Sequence, residues 1–205
     1  MKTAERSEDP RFQRTLEALI EAVTRLIEAE GLSSLSITRV VAEAGVSRPT
    51  FYQHAPDVMA LARRAALLRL DAAMSDKPAL DDPAGASFPL MCQQIEEHLC
   101  PLLQHLATHR RFYREVLDHA SSPDLYSAIV ELLASRMQLE PFERLGAASG
   151  VSFETLARVL SGGLMWHVVR WLKDAPEPLD PDAMAAEVAV TAATFVQGQQ
   201  VPAPV

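Results

Sequence analysis

One stretch of the chain indicates its fold: Ser36-Ile-Thr-Arg-Val-Val-Ala-Glu-Ala-Gly-Val-Ser-Arg-Pro-Thr-Phe-Tyr-Gln-His54. It divides into two short helical segments joined by a turn around Gly45, which is the arrangement of a helix-turn-helix. Gly45 can take the left-handed conformation that so sharp a turn needs. Ser47 can cap the second helix, and Pro49 falls in its first turn, where a missing N–H does no harm.

The second of these helices has an inward and an outward side. Val46 and Phe51 are expected to pack inward and to hold the helix at a fixed angle. The outward side carries hydrogen-bonding side chains on a rigid rod that fits the major groove of DNA: Arg48, Thr50, Tyr52 and Gln53. The alternative is a three-helix packing unit without a DNA role, but packing alone does not call for these exposed polar residues.

The surrounding sequence predicts further helices. Apolar residues recur at steps of three and four from Phe12 to Ile27, and Gly31 can end that helix. A longer helix restarts at 56–57, and a polar loop rich in proline and glycine lies between Ser75 and Pro89. Beyond the loop we expect helices at about 88–108, 109–119, 122–147, 152–173 and 181–197.

The predicted fold class is all-α: a three-helix helix-turn-helix head plus a larger helical ligand-binding and dimerisation domain, about nine helices in total. The expected domains are a flexible arm (1–11), the helix-turn-helix domain (12–55), a connecting helix (56–75), an effector-binding and dimerisation domain (76–198) and a frayed tail (199–205).

The charge distribution permits a nucleic-acid partner without proving one. The chain has a net charge of −8, but residues 1–64 hold nine Lys/Arg and nine Asp/Glu. The excess of acidic residues therefore lies in residues 65–205, C-terminal to the helix-turn-helix head. Within the head, Arg11, Arg14, Arg39 and Arg48 can share one face.

The run from Ala42 to His54 resembles the signature of the TetR family of transcription regulators, and the likeness extends over about residues 12–64. The resemblance implies that Thr38 and the Tyr52 hydroxyl hold DNA phosphates, and that neighbouring side chains approach bases or backbone. The full set of expected DNA-binding residues is Arg14, Thr38, Ser47, Arg48, Pro49, Thr50, Tyr52, Gln53 and His54.

This chain departs from the family pattern at two positions. Ala55 stands where the family usually has an aromatic residue, and Val58 stands where it often has a phosphate-gripping lysine. The salt-dependent part of DNA binding is therefore expected to be weaker than usual, or to be carried by Arg11 and Arg14.

The C-terminal helices are expected to form a homodimer. The segment 161–174 with the following helix resembles the last two helices of one TetR C-terminal subgroup, which pair with their copies in the family. Gly162 and Gly163 each weaken a helix by about 1 kcal/mol, which close backbone approach would explain. The expected interface residues are Gly162, Gly163, Val188, Ala192 and Phe195. Core packing within one chain is the alternative.

A pocket for a small apolar or amphipathic effector is expected between the helices of 88–173. The candidate lining residues, for each of which ordinary core packing is the stronger alternative, are Met91, His98, Phe112, Tyr113, Leu117, Tyr126, Met137, Met165 and Trp166. By family resemblance, the effector would move the connecting helix and change the separation of two heads, so that a repressor leaves a palindromic operator. A regulator or scaffold controlled by a protein partner is the alternative.

Other classes of function are not expected. The sequence has neither an apolar signal core nor a membrane-spanning stretch, and Cys92 and Cys100 are too far apart on one helix to bridge, so a cytoplasmic location fits. His105 and His109 could share a helix face, but a metal site needs more converging ligands. No catalytic motif is present. We therefore expect no enzyme activity, no metal and no cofactor.

Overall fold

The computed structural model describes residues 9–74, 87–136 and 151–197. Within these ranges it contains nine α-helices and one 3₁₀ turn (Leu32–Ser34), and no strand. The helices are α1 Pro10–Glu30, α2 Ile37–Ala44, α3 Arg48–Tyr52, α4 Val58–Ala73, α5 Phe88–Thr108, α6 Arg110–His119, α7 Pro123–Arg136, α8 Phe153–Asp174 and α9 Pro181–Gln197. The predicted all-α fold is confirmed.

Helix ends follow the local capping chemistry. Asp9 accepts from the Arg11 N–H at the start of α1 (2.8 Å), with Pro10 in the first turn. α4 begins at Val58, two residues after the predicted restart, because the Asp57 carboxylate accepts the Ala60 N–H (2.7 Å). The expected helix 122–147 is described as α7 as far as Arg136, and the remainder of that prediction lies outside the described residues.

The chain divides into two compact units. Among the described residues, the first comprises 9–69 together with His109–Leu125. It thus contains α1, the 3₁₀ turn, the helix-turn-helix formed by α2 and α3, most of α4, and α6, which the sequence had assigned to the effector domain. Its fully buried side chains come from all of these helices: Leu19, Val23, Ile27, Leu32, Val40, Phe51, Leu61, Phe112 and Val116. The functional boundaries expected from the sequence stay a prediction.

Side chains of α6 contact the C-terminal end of α1 and the residues that follow it. The Glu115 carboxylate accepts the Leu32 backbone N–H (2.7 Å), and the Arg111 guanidinium donates to the Ala29 carbonyl (3.2 Å). His109 Nδ1 lies 2.9 Å from a Glu28 carboxylate oxygen. The contacts of Arg111 and Glu115 satisfy a carbonyl in the last turn of α1 and the N–H of the first residue of the 3₁₀ turn, whereas the His109–Glu28 contact joins two side chains.

We expect Glu115→Ala to lower the free energy of unfolding by about 1–3 kcal/mol, because it leaves the Leu32 N–H buried without an acceptor. Leu32 itself has no exposed surface. Glu115→Gln, which keeps an acceptor oxygen, is the matched control and should lose less. Urea unfolding of the three proteins measures this, and equal stability of Glu115→Ala and the parent would refute it.

Among the described residues, the second unit comprises 70–74, 87–108, 126–136 and 151–197. Its core forms where α9 lies along α5, with Met91 and Ile95 facing a row of small residues, Ala189, Ala192 and Ala193. Alanines allow the two helix backbones to approach closely. α8 is linked to α7 by the ion pair between Arg158 and Glu131 (2.7 Å). None of the helices in the described ranges is long and apolar enough to cross a membrane.

Candidate nucleic-acid interface

The turn between α2 and α3 has the predicted left-handed glycine. Gly45 lies at φ 65° and ψ 30°, and the next N–H, that of Val46, donates back to the Val41 carbonyl (3.0 Å). Ser36 caps α2 by accepting the Arg39 N–H (3.3 Å). Ser47 caps α3 by accepting the Thr50 N–H (3.2 Å). The path of the chain is therefore fixed on both sides of the turn.

α3 separates its core residue from its polar residues. Phe51 is fully buried, whereas its neighbour Tyr52 is 57% exposed. The remaining exposed residues on and beside α3 are Ser47, Arg48, Pro49 and Gln53, and Thr50 is half-buried. Of these, Ser47 and Thr50 are also joined by a hydrogen bond between their hydroxyls (2.7 Å). Of the residues expected on the outward side, the helix thus exposes Arg48, Tyr52 and Gln53, and Thr50 only in part; their contacts with DNA stay a prediction.

Thr38 and Arg48 are joined directly. The Arg48 guanidinium, through Nη2, donates to the Thr38 hydroxyl. Both side chains are exposed, on α2 and α3 respectively. The link therefore crosses the helix-turn-helix on its outer surface. Sequence reasoning named both residues but did not foresee the contact, since they are ten positions apart.

Two of the arginines that were expected to form a basic face are bound to other groups of the protein. Arg39 pairs with Glu30 (2.8 Å) and Glu43 (3.1 Å), and the hydrogen bond that it donates to Glu30 raises the pKa of Arg39. Arg14 is exposed, and its Nε donates to the Pro10 carbonyl (3.1 Å). Because two carboxylates neutralise Arg39, it offers little charge to a phosphate.

His54 is largely withdrawn from the surface. Its ring stacks on Phe12 at a centroid distance of 4.0 Å, and its Nδ1 has no hydrogen-bond partner among the described residues. The Arg64 guanidinium donates to its backbone carbonyl (3.4 Å). An open depression of about 210 Å³ adjoins the ring, lined by Asp9, Arg11, Phe12, Thr15, Thr50, Gln53 and His54. The His54 ring thus packs between α1 and the end of α3. Only the small exposed edge of the ring is available to DNA.

Burial, followed by the nearby charge of Arg64, lowers the pKa of His54 below its ordinary value of 6.5. In the unfolded chain, His54 therefore binds a proton near pH 6.5, whereas in the folded chain it binds one only at lower pH. The free energy of unfolding should therefore fall as the pH drops below 6.5. In His54→Phe, which keeps the stacking and removes the titration, this part of the loss should vanish. Urea unfolding between pH 7.5 and 5.5 tests it, and parallel curves for both proteins would count against it.

The two departures from the family pattern are both buried. Ala55 is 5% exposed and Val58 is 6% exposed. A lysine at position 58 would have to extend its stem out of this core to carry its charge to a phosphate. No other positive charge therefore takes the place of the family's lysine at position 58.

The second unit exposes large apolar side chains on α8 and α9, and Leu90 on α5 is also 45% exposed. On α8, Val159 and Trp166 are 64% and 59% exposed, and they are seven residues apart, hence on one face. On α9, Val190 and Phe195 are 48% and 45% exposed. We call these four residues the α8–α9 patch. A bridge between His167 and Glu187 (3.2 Å) joins the two helices.

The expected interface residues separate into two groups. Gly162 and Gly163 lie on α8 between Val159 and Trp166, and a Cβ at either would meet nothing within 4 Å among the described residues. Val188 and Ala192 are instead buried within the second unit, at 2% and 5% exposure. Because these two already pack against their own chain, they have little surface for a partner. Phe195 belongs to the exposed group.

The expected effector residues are distributed over both units. Phe112, Tyr113 and Leu117 are buried in the first unit, where burial raises the pKa of Tyr113. In the second unit Met91 is buried, Trp166 is exposed, and His98, Tyr126 and Met165 are half-buried; Met137 lies outside the described residues. Arg69 was not among the residues expected near the effector, yet its guanidinium lies 4.9 Å from the centroid of the Phe112 ring. No group of residues suited to hold a metal ion occurs in the described ranges.

Two capped helices, a left-handed glycine turn and an exposed polar second helix define the class of helix-turn-helix proteins. The family model described as "Bacterial regulatory proteins, tetR family" matches residues 19–65, the stretch that contains this motif. Residues 19–65 are therefore similar to the DNA-binding domain of TetR-family proteins, which are DNA-binding transcription regulators. The resemblance predicted from the sequence is thereby confirmed.

Solved structures show the same fold over most of the chain. The TetR family repressor AlkX from Dietzia sp. strain DQ12-45-1b is 18% identical, with a TM-score of 0.57 over 89% of this chain and 96% of that one. A protein from Mesorhizobium loti MAFF303099 assigned to the TetR family is also 18% identical, with a TM-score of 0.51 over 92% and 98%. At this identity the likeness concerns the fold alone. No curated protein matches the sequence.

Proposed function

We propose that the protein is a homodimeric transcription regulator that binds a palindromic DNA operator through α3, and that it acts in the cytoplasm as a repressor. The observation that carries this proposal is the exposed polar surface of α3, which is held rigidly by Phe51 beneath it and by the Ser47 cap. Donors and acceptors fixed on a short helix are what reading base edges in the major groove requires.

The dimer is proposed to form through the α8–α9 patch. Four large apolar side chains exposed on neighbouring helices are unfavourable in water, and a second copy of the same surface would cover them. Gly162 and Gly163 leave the α8 backbone open between Val159 and Trp166. A dimer also suits α3, whose five residues can contact few bases, because two half-sites multiply the specificity.

The repressor is proposed to release DNA when a small apolar or amphipathic molecule binds the helical domain. The effector must bind the released state more tightly than the DNA-bound state, and this difference sets the size of the response. Control by a protein partner without a small molecule is the second candidate. A compound that both raises the melting temperature and weakens DNA binding favours the first candidate; release only by a protein fraction favours the second.

The DNA-binding proposal is tested by capture of genomic fragments. Sheared DNA from the source organism is mixed with the purified protein, and bound fragments are sequenced beside a parallel capture with Arg48→Ala. We expect a few strongly enriched fragments that share a two-fold symmetric motif and are lost with the variant. Uniform recovery of all fragments by the parent protein would contradict the proposed function.

A further inference from the structure

Arg48 differs in its partner from two exposed arginines of the first unit, Arg39 and Arg25. Arg39 is paired with two carboxylates and Arg25 with one, that of Glu43 (3.2 Å). The partner that the structure gives Arg48 is the neutral hydroxyl of Thr38. Its positive charge is therefore held in place without being compensated by that contact.

The Thr38 hydroxyl uses only part of what the guanidinium offers. A guanidinium has five N–H donors in a planar fork, and the hydrogen bond to Thr38 engages Nη2 alone. Donors therefore remain to form a parallel pair of hydrogen bonds with one planar acceptor. Arg48 is also the first residue of α3, and the N-terminal residues of a recognition helix are those that meet base edges.

Guanine is the base that suits such a fork. In the major groove it presents two acceptors side by side, N7 and O6, whereas adenine presents one acceptor and one donor. We propose that Arg48 reads one guanine in each operator half-site, and that Thr38 is the positioning residue that sets the plane of the guanidinium. This inference rests on the proposed DNA-binding function and adds a base identity to it.

Thr38 can do this without giving up a contact to the backbone. A hydroxyl that accepts a hydrogen bond from Arg48 still has its own O–H to donate to a phosphate oxygen. Thr38 would then connect the register of the protein on the DNA backbone to the orientation of the base-reading side chain. Loss of the hydroxyl should therefore reduce discrimination between bases as well as overall affinity.

The test uses duplexes carrying the motif enriched from genomic DNA. Each guanine is replaced in turn, in both half-sites, by 7-deazaguanine, which lacks the N7 acceptor. At one position we expect the parent protein to lose about tenfold or more in affinity, while Arg48→Ala, already weaker, is insensitive to the replacement. Thr38→Val should reduce this discrimination severalfold, and Thr38→Ser, which keeps the hydroxyl, should retain it.

The outcomes separate the inference from the function beneath it. If the parent binds the motif tightly but no guanine shows a penalty that disappears in Arg48→Ala, the guanine assignment is wrong and the regulator remains. If Thr38→Val weakens both duplexes equally, the positioning role is overturned, because Thr38 then contacts only phosphate. If the parent does not distinguish the motif from a shuffled duplex, the proposed function itself fails.

Discussion

Replacement of Trp166 by glutamate is expected to convert the proposed dimer into a monomer. Trp166 is 59% exposed within one chain and lies on the same face of α8 as Val159. Large aromatic side chains at the centre of an interface commonly contribute about 2 kcal/mol or more to binding, which is roughly a thirtyfold change in affinity. Glutamate both removes this contact and buries a charge without a partner, so its effect should exceed that of truncation alone.

Light scattering at micromolar concentration measures this effect. Leu68→Glu is the matched control, because Leu68 is also exposed (45%) but belongs to the first unit. The parent and the control should have twice the mass of one chain, and Trp166→Glu should have the mass of one. DNA affinity should fall with the loss of the second head. A monomeric parent, or a variant that stays dimeric, would refute the proposed interface.

The second large effect concerns two neighbouring residues on α3. Phe51→Ala should lower the free energy of unfolding by about 3–5 kcal/mol, because it removes a fully buried ring and leaves a cavity beneath the recognition helix. Tyr52→Ala should leave stability within about 0.5 kcal/mol, because most of its side chain is in solvent. Tyr52→Ala should instead lower the affinity for DNA.

Urea unfolding and DNA titration of the same two variants measure these effects together. Tyr52→Phe serves as a control, since it keeps the ring and removes only the hydroxyl that would hold a phosphate. We expect Tyr52→Phe to weaken binding less than Tyr52→Ala. If Tyr52→Ala destabilises the fold as much as Phe51→Ala does, the division of α3 into a core face and a binding face is wrong.

The features predictable from the sequence are local ones. The glycine turn, the Ser47 cap and the outward position of Tyr52 depend on residues within one or two turns of helix. Their chemistry is therefore visible in a short window of sequence. The same reasoning gave the ends of α5, α6, α8 and α9 to within one or two residues.

Features that depend on distant residues were not predictable. An apolar helix face indicates burial, but not whether the same chain or a second copy covers it. Val188 and Ala192 on α9 are covered by their own unit, whereas Trp166, which was expected in a pocket, faces solvent. His54 follows the DNA-reading residues in sequence, yet its ring is withdrawn against Phe12, forty-two positions earlier.

The central claim is that α3 reads a specific DNA sequence, and the most direct test is a titration against the enriched duplex and a shuffled duplex of equal composition. Fluorescence anisotropy at several salt concentrations compares the parent with Tyr52→Ala. We expect the parent to prefer the enriched duplex by about a thousandfold or more, with affinity for both duplexes falling as salt rises. Tyr52→Ala should bind more weakly with a similar salt dependence, since the lost hydroxyl is neutral and releases no counterion. Equal affinity of the parent for the two duplexes would contradict the claim.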